Sequence, residues 1–271
     1  MAKTYENWLI VSDIDGTLNT KFRTLNKKNL YAVERFKSLG GRFTLASGRV
    51  VPSMEKHCKR IGVNAPVVAL NGAAIYDFSQ NRVLSKHTIG EFGRNFTREI
   101  MEKFPNVEVG IFFTDMVFVL RGGFLAKGQF SFDKSPNVFC NIDAVDNDGW
   151  CKVIFWSDPI TIKKVRSYCE ARIQNNELNF MLTSDWSYEM LQGGVNKGSS
   201  ALEIAGMLGI DKEHTAGIGD FYNDLELLQA VGFSACAGQA PRDIRESVDL
   251  VTCHCNHGSV AQLIDYIIKN F

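Results

Sequence analysis

Six short apolar runs, at residues 8–11, 42–46, 67–70, 215–218, 233–237 and 249–252, each break off abruptly in polar or glycine-rich sequence. They do not alternate with polar positions, which is the pattern of strands buried on both faces of a parallel sheet. Between them the period changes to that of a helix. Residues 26–39 place Leu30, Val33, Phe36 and Leu39 along one side, with Gly40 as a stop. Ala201, Leu202, Ile204, Ala205 and Leu208 form a second stripe closed by Gly209, and Val260, Leu263, Ile264, Ile267 and Ile268 form a third. Strands alternating with helices predict an α/β fold with a doubly wound, Rossmann-like parallel-sheet core.

The middle of the chain follows another rule. Residues 107–113, 116–120 and 152–156 mix aromatic and aliphatic side chains, and helical patterns appear near 92–104 and 159–173. Hairpins with helices predict a smaller α+β insertion. The change of pattern puts the core at residues 1–84 and 190–271 and the inserted domain at 85–189. There is no internal repeat and no low-complexity linker.

Composition narrows the partners. The 271 residues are 45% hydrophobic and 22% charged with six prolines, as in an ordinary folded protein. Thirty basic and thirty acidic residues cancel, so there is no electrostatic footprint for nucleic acid or an anionic membrane. A small molecule is the expected partner, and the pattern assigns no oligomeric state. The first apolar run is cut off by Ser12 and Asp13, too short for a signal-peptide core or a membrane span, which gives a cytoplasmic expectation. Seven cysteines without framework spacing fit reduced thiols.

The candidate chemistry sits where strands end. Val11-Ser12-Asp13-Ile14-Asp15-Gly16-Thr17-Leu18 follows the first buried run and sets two acids at i and i+2. Ligands of open α/β sheets bind outside the carboxyl ends of strands, and carboxylates gathered there need a cation between them. Hard oxygen ligands of this kind favour Mg²⁺ bound together with a substrate phosphate. Phe43-Thr44-Leu45-Ala46-Ser47-Gly48-Arg49 is a second strand end, where a hydroxyl and glycine-freed N–H groups suit phosphate oxygens. Lys197, within Gly193-Gly194-Val195-Asn196-Lys197-Gly198, opens a helix whose positive dipole end favours anions. Gly217-Ile218-Gly219-Asp220-Phe221-Tyr222-Asn223-Asp224 supplies two more acids and an amide.

These four segments, in this order, resemble the four signature motifs of the haloacid dehalogenase superfamily. Asn71-Gly72-Ala73-Ala74-Ile75-Tyr76-Asp77 and the large insertion between the second and third motifs are similar to the Cof-type subfamily with a class IIB cap. The resemblance implies a Mg²⁺-dependent phosphatase working through an aspartyl phosphate on a small phosphorylated metabolite, with a sugar phosphate as the expected substrate. It makes Asp13 the nucleophile and a metal ligand. Asp15 becomes the general acid/base, with its main-chain carbonyl on the metal, and Asp220 the third ligand. Ser47, Gly48, Lys197 and Asn223 would hold the phosphoryl group, and Asp224 would orient metal-bound water or Lys197. Gly238-Gln239-Ala240 departs from the related Gly-Asn-Ala. A hexose phosphomutase and a non-enzymatic metabolite-binding protein are the rival readings; the short Asp220–Asp224 segment resembles phosphatases rather than mutases.

Other features have plainer explanations. Asn223 and Asp224 could simply cap a helix. Cys253, His254, Cys255 and His257 raise zinc, but their spacing matches no common zinc module and the stretch falls in an expected loop. Phe112, Phe113, Trp150, Phe155 and Trp156 could line a pocket; the expectation is that they fill the core of the inserted domain.

Overall fold

The computed structural model describes residues 4–173 and 176–271. The first half of the parallel core is β1 (Leu9–Ser12), α1 (Lys27–Ser38), β2 (Arg42–Leu45) and α2 (Val51–Ile61). An antiparallel sheet follows, built from β3 (Val67–Ala69), β4 (Ala74–Asp77) and β5 (Arg82–Lys86). The inserted segment runs through α3 (Glu91–Lys103), β6 (Glu108–Phe112), β7 (Val117–Arg121), α4 (Phe124–Asp133), β8 (Asn137–Phe139), β9 (Lys152–Trp156), α5 (Pro159–Arg172), β10 (Leu178–Ser184) and β11 (Ser187–Gln192). The chain then returns to the core with α6 (Lys197–Met207), β12 (Thr215–Gly219), α7 (Leu225–Ala230), β13 (Phe233–Cys236), α8 (Arg242–Glu246), β14 (Leu250–Val251) and α9 (Ser259–Asn270).

The core sheet has the order β14-β13-β12-β1-β2 and every pairing is parallel. Successive residues of β1 feed opposite layers. Ile10 packs with Val33, Phe36, Met54, Leu263 and Ile267, whereas Leu9 and Val11 pack with Ala201, Ile204, Leu227 and Val231. Helices therefore cover both faces, which explains why the strands read as unbroken apolar runs. The α/β core with an added cap is the expected architecture.

One expected strand behaves differently. The run at 67–70 reads like its parallel neighbours, yet β3 pairs antiparallel with β4 and meets the parallel sheet only through the bridge Ala46–Val68. Burial on both faces gives the same sequence signal in either orientation. The cap is a six-stranded sheet ordered β10-β11-β9-β6-β7-β8. Near the expected junctions, β5 continues to Lys86 within the three-stranded sheet and β11 to Gln192 within the cap sheet.

Trp150 and Phe155 are buried in the cap's own cluster with Phe113 packed against it, as the core reading expects, whereas Phe112 and Trp156 are buried in the cluster continuous with the core domain. All seven cysteines are free, and burial pushes the thiols of Cys58, Cys151 and Cys169 up to about 12. Among the described residues no helix is long and apolar enough to cross a membrane.

Candidate active site

Chain order places β1 between β2, which follows it, and β12, which arrives only after the cap. That reversal of winding leaves a crevice at the carboxyl ends of the strands. Asp13 leaves β1 there with its N–H on the Ile218 carbonyl at 2.9 Å. The chain then makes a wide turn over residues 14–18, closed by Asn19 N–H to Ile14 O at 2.8 Å. Gly16 makes the turn possible: its φ is +87°, and a Cβ there would lie 2.3 Å from Asp220 Oδ2.

Lys197, at the first turn of α6, is wholly buried. Its Nζ donates to Asp13 Oδ1 and to Asp224 Oδ1, each at 2.6 Å. Asp224 Oδ2 accepts the N–H groups of Asp220 and Phe221 at 2.9 and 3.2 Å, so both of its oxygens are engaged. Asp220 accepts from Thr17 Oγ1 at 2.9 Å and from Gln239 Nε2 at 3.4 Å. Oxygens of Asp13, Asp220 and Asp224 lie within 4.8 Å of one another.

The electrostatics of this cluster ask for a cation. Burial pushes the Asp13 carboxyl well above the usual range; Lys197 opposes the shift, and Asp224 and Asp220 add to it. Burial and Asp224 raise Asp220 to about 7. Burial alone would lower the Lys197 ammonium, but the two carboxylates outweigh it and hold the group above its ordinary value. An all-oxygen donor set of this kind fits a hard divalent ion such as Mg²⁺.

Asp15 points elsewhere. Arg49 grips its carboxylate with Nε at 3.0 Å and Nη2 at 2.8 Å, and the Asp15 side chain keeps 41% exposure at the crevice mouth. Asp13, Asp15, Ser47, Gly48, Asp220 and Asn223 line the core side of a cavity of about 470 Å³. Lys197 and Asp224 sit buried behind it. The cap side presents Gln129, Asp133, Thr183, Ser184, Ser187 and Glu189.

Several participants carry no role in the sequence reading. Arg49 lies inside the second segment yet only the fold shows its pairing with Asp15. Gln239, at the departure from Gly-Asn-Ala, donates to Gly16 O at 2.5 Å and accepts Cys255 N–H at 3.0 Å, tying the first turn to the last loop. Asn71, fully buried beside Gly48, keeps an Oδ1 with no hydrogen-bond donor. No zinc cluster forms at 253–257: among the described residues the group able to gather a metal is the aspartate trio. The His254 ring instead accepts the Asn256 N–H at 3.1 Å within its own turn.

A parallel sheet carrying an acid cluster and a buried lysine at its switch point, under an inserted cap, defines a haloacid dehalogenase-like hydrolase. The family model for haloacid dehalogenase-like hydrolases matches residues 10–264, and the chain belongs to that family. It is 23% identical over 264 residues to a phosphoglycolate phosphatase of Methanosarcina acetivorans, covering 96% of each chain. In structure it is similar to a haloacid dehalogenase-like hydrolase from Bacteroides thetaiotaomicron, with TM-score 0.84, 20% identity and coverage of 96% of this chain and 99% of that one. The subclass IIB sugar phosphatase BT4131 is similar as well, with TM-score 0.83, 19% identity and coverage of 96% and 98%.

Proposed function

We propose that this haloacid dehalogenase-like hydrolase, a phosphate-monoester phosphatase, transfers the phosphoryl group of a small hydroxylated metabolite to Asp13 and then to water. The observation that carries this reading is the buried Lys197 bridging Asp13 and Asp224 at 2.6 Å each, directly behind a cavity walled by Ser47 and Gly48. An oxygen of Asp13 attacks phosphorus and the P–O bond to the leaving alcohol breaks. Asp15 supplies the alcohol's proton, then takes one from the water that attacks the aspartyl phosphate and restores the Asp13 carboxylate. Ser47, the Gly48 main chain, Asn223 and Lys197 hold the transferring oxygens.

Mg²⁺ is the proposed cofactor, held by Asp13, Asp220 and the Asp15 main-chain carbonyl, where it would offset the charge of the substrate phosphate. Asp224 has its oxygens on Lys197 and two N–H groups, so its role is to hold that lysine in place. Like charges about 4 Å apart repel by roughly 4 kcal/mol at an effective dielectric near 20, and attack by a carboxylate on a phosphate requires that repulsion to be offset.

The cap side argues for a sugar or polyol phosphate. Thr183, Ser184 and Ser187 line it with hydroxyls that hydrogen-bond one another, and across the cavity the core residue Asn71 has an Oδ1 without a hydrogen-bond partner. Of the charged groups outside the acid cluster, Asp15 and Glu189 are already paired with Arg49 and Lys152, and Arg23 and Asp133 both line the cavity, so the hydroxyls carry the choice of a polyol ester. The test is phosphate release from a panel of phosphorylated sugars, polyols and acids with Mg²⁺, for the native chain and for Asp13→Asn. Turnover of hydroxylated esters that vanishes in the variant is expected. Full activity in Asp13→Asn, or no release from any ester, would overturn the proposal.

A further inference from the structure

Lys152 opens β9 in the middle of the cap sheet, and its side chain is 1% exposed. The ammonium pairs with Glu189 Oε2 on the neighbouring β11 at 2.9 Å and lies 4.6 Å from the centroid of the Phe112 ring. It also leaves its own sheet, donating to the main-chain carbonyl of Gly48 at 2.8 Å. Glu189 crosses in the same direction: its Oε2 accepts Asn71 Nδ2 at 2.8 Å. One ion pair of the cap is thus plugged into two loops of the core.

Those loops are strapped to each other. Asn71 N–H donates to Ser47 O at 2.9 Å and Leu70 N–H to Arg49 O at 3.0 Å. Leu70 and Asn71 both hold left-handed backbone conformations, with φ of +56° and +55°, which non-glycine residues keep only when their surroundings enforce them. A Cβ on Gly48 would lie 2.9 Å from Asn71 Nδ2, so a larger residue there would displace the Asn71 amide that Glu189 holds.

Stability does not account for the pair, because apolar residues of similar volume commonly replace a buried ion pair at no loss. An apolar pair, however, could not grip a carbonyl. Peptide units are planar and trans, so fixing the Gly48 carbonyl on Lys152 turns the Arg49 N–H the opposite way. That N–H lies 3.3 Å from Ser47 Oγ, and the same residue's guanidinium holds Asp15.

We propose that Lys152, neutralised by Glu189, is a positioning residue: it sets the plane of the Gly48–Arg49 peptide, so that the phosphate loop and the Arg49–Asp15 pair take their working geometry only with the cap seated. This rests on the phosphatase reading. Lys152→Met alone leaves Glu189 buried without a cation, so Lys152→Met/Glu189→Gln is compared with Glu189→Gln, which retains the donor to Gly48. Glu189→Gln leaves the buried ammonium without its carboxylate, so the double variant is expected to melt no lower than Glu189→Gln yet to lose about 10- to 100-fold in kcat/KM, the scale of a small misplacement at the reacting centre. The loss should be equal for esters of different alcohols, since the phosphate loop is common to all of them. Hydrogen exchange across residues 46–50 should also be faster in the double variant. Equal activity in the two variants, or a loss confined to one ester, would overturn the assignment. Should the native chain hydrolyse no ester, the phosphatase reading falls and the exchange comparison decides the Lys152 contact alone: faster exchange supports it, equal exchange ends it.

Discussion

The acid cluster links stability to both pH and metal. In the metal-free protein Asp220 holds its proton to about 7, against an ordinary 3.8, because it is buried and faces Asp224. Between these values the folded chain binds more protons than the unfolded one, so stability falls as pH rises through the window. The stabilisation is complete below 3.8 and gone above about 7, and its full size is about 4 kcal/mol. Asp13, shifted in the same direction, adds to the effect. For a chain of this length the change corresponds to a Tm difference on the order of 10 °C. A divalent ion competes with the same protons. Thermal unfolding followed by circular dichroism, with EDTA or with excess MgCl₂, should therefore show Mg²⁺ stabilising strongly above pH 7 and scarcely at all near pH 4. Asp220→Asn should flatten the metal-free slope. An equal Mg²⁺ increment at both ends of the window, or a metal-free protein gaining stability from its acids as pH rises from 4 to 7, would refute the reasoning.

Two further substitutions separate the parts of the site. Lys197→Met leaves Asp13 and Asp224 buried and facing each other without their cation, and should cost about 3–5 kcal/mol in urea unfolding along with all measurable turnover; a loss under about 1 kcal/mol would mean that the ammonium does not hold the pair. Gly16→Ala drives a methyl group to 2.3 Å from Asp220 Oδ2 at a φ of +87°, so Mg²⁺ affinity measured by calorimetry should drop and activity fall by about 100-fold, while native-like affinity would show that the turn can yield.

The core and most of its site could be read from the chain because both obey one rule. A strand buried on both faces must be apolar, so the first charged residue after it marks the sheet's edge, and Asp13 and Asp220 occupy such positions. The cap hid more. β8 is exposed along its whole length, and Val138 and Phe139 are too short a run to read as a strand. The exposed side of α4 mixes Phe124 with Lys127 and Ser131, which blurs the helical pattern. Lys152 and Glu189 each stand in an otherwise apolar strand, a Lys before Val-Ile-Phe-Trp and a Glu between Tyr188 and Met190. Opposite charges in two such strands hint at a buried pair, but only the adjacent register of β9 and β11 brings them together. Arg49 was visible within its motif, yet its grip on Asp15 depends on how two separate loops meet.

Charge balance then explains what this arrangement is for. Asp13, Asp220 and Asp224 ionised, with Lys197 as the buried cation between them, leave two negative charges in the cluster. Arg49 and Asp15 cancel each other at the rim, and Lys152 and Glu189 cancel each other under the cap. The residues alone would therefore repel a phosphate dianion, and the deficit equals the charge of one divalent ion rather than one monovalent ion. Because the neutral pairs already tie the phosphate loop to the cap and Asp15 to Arg49, supplying that charge requires no rearrangement of the donors. On the proposed reading a divalent cation would offset the charge that repels the phosphate, and a proton on Asp220 would weaken its hold on that cation.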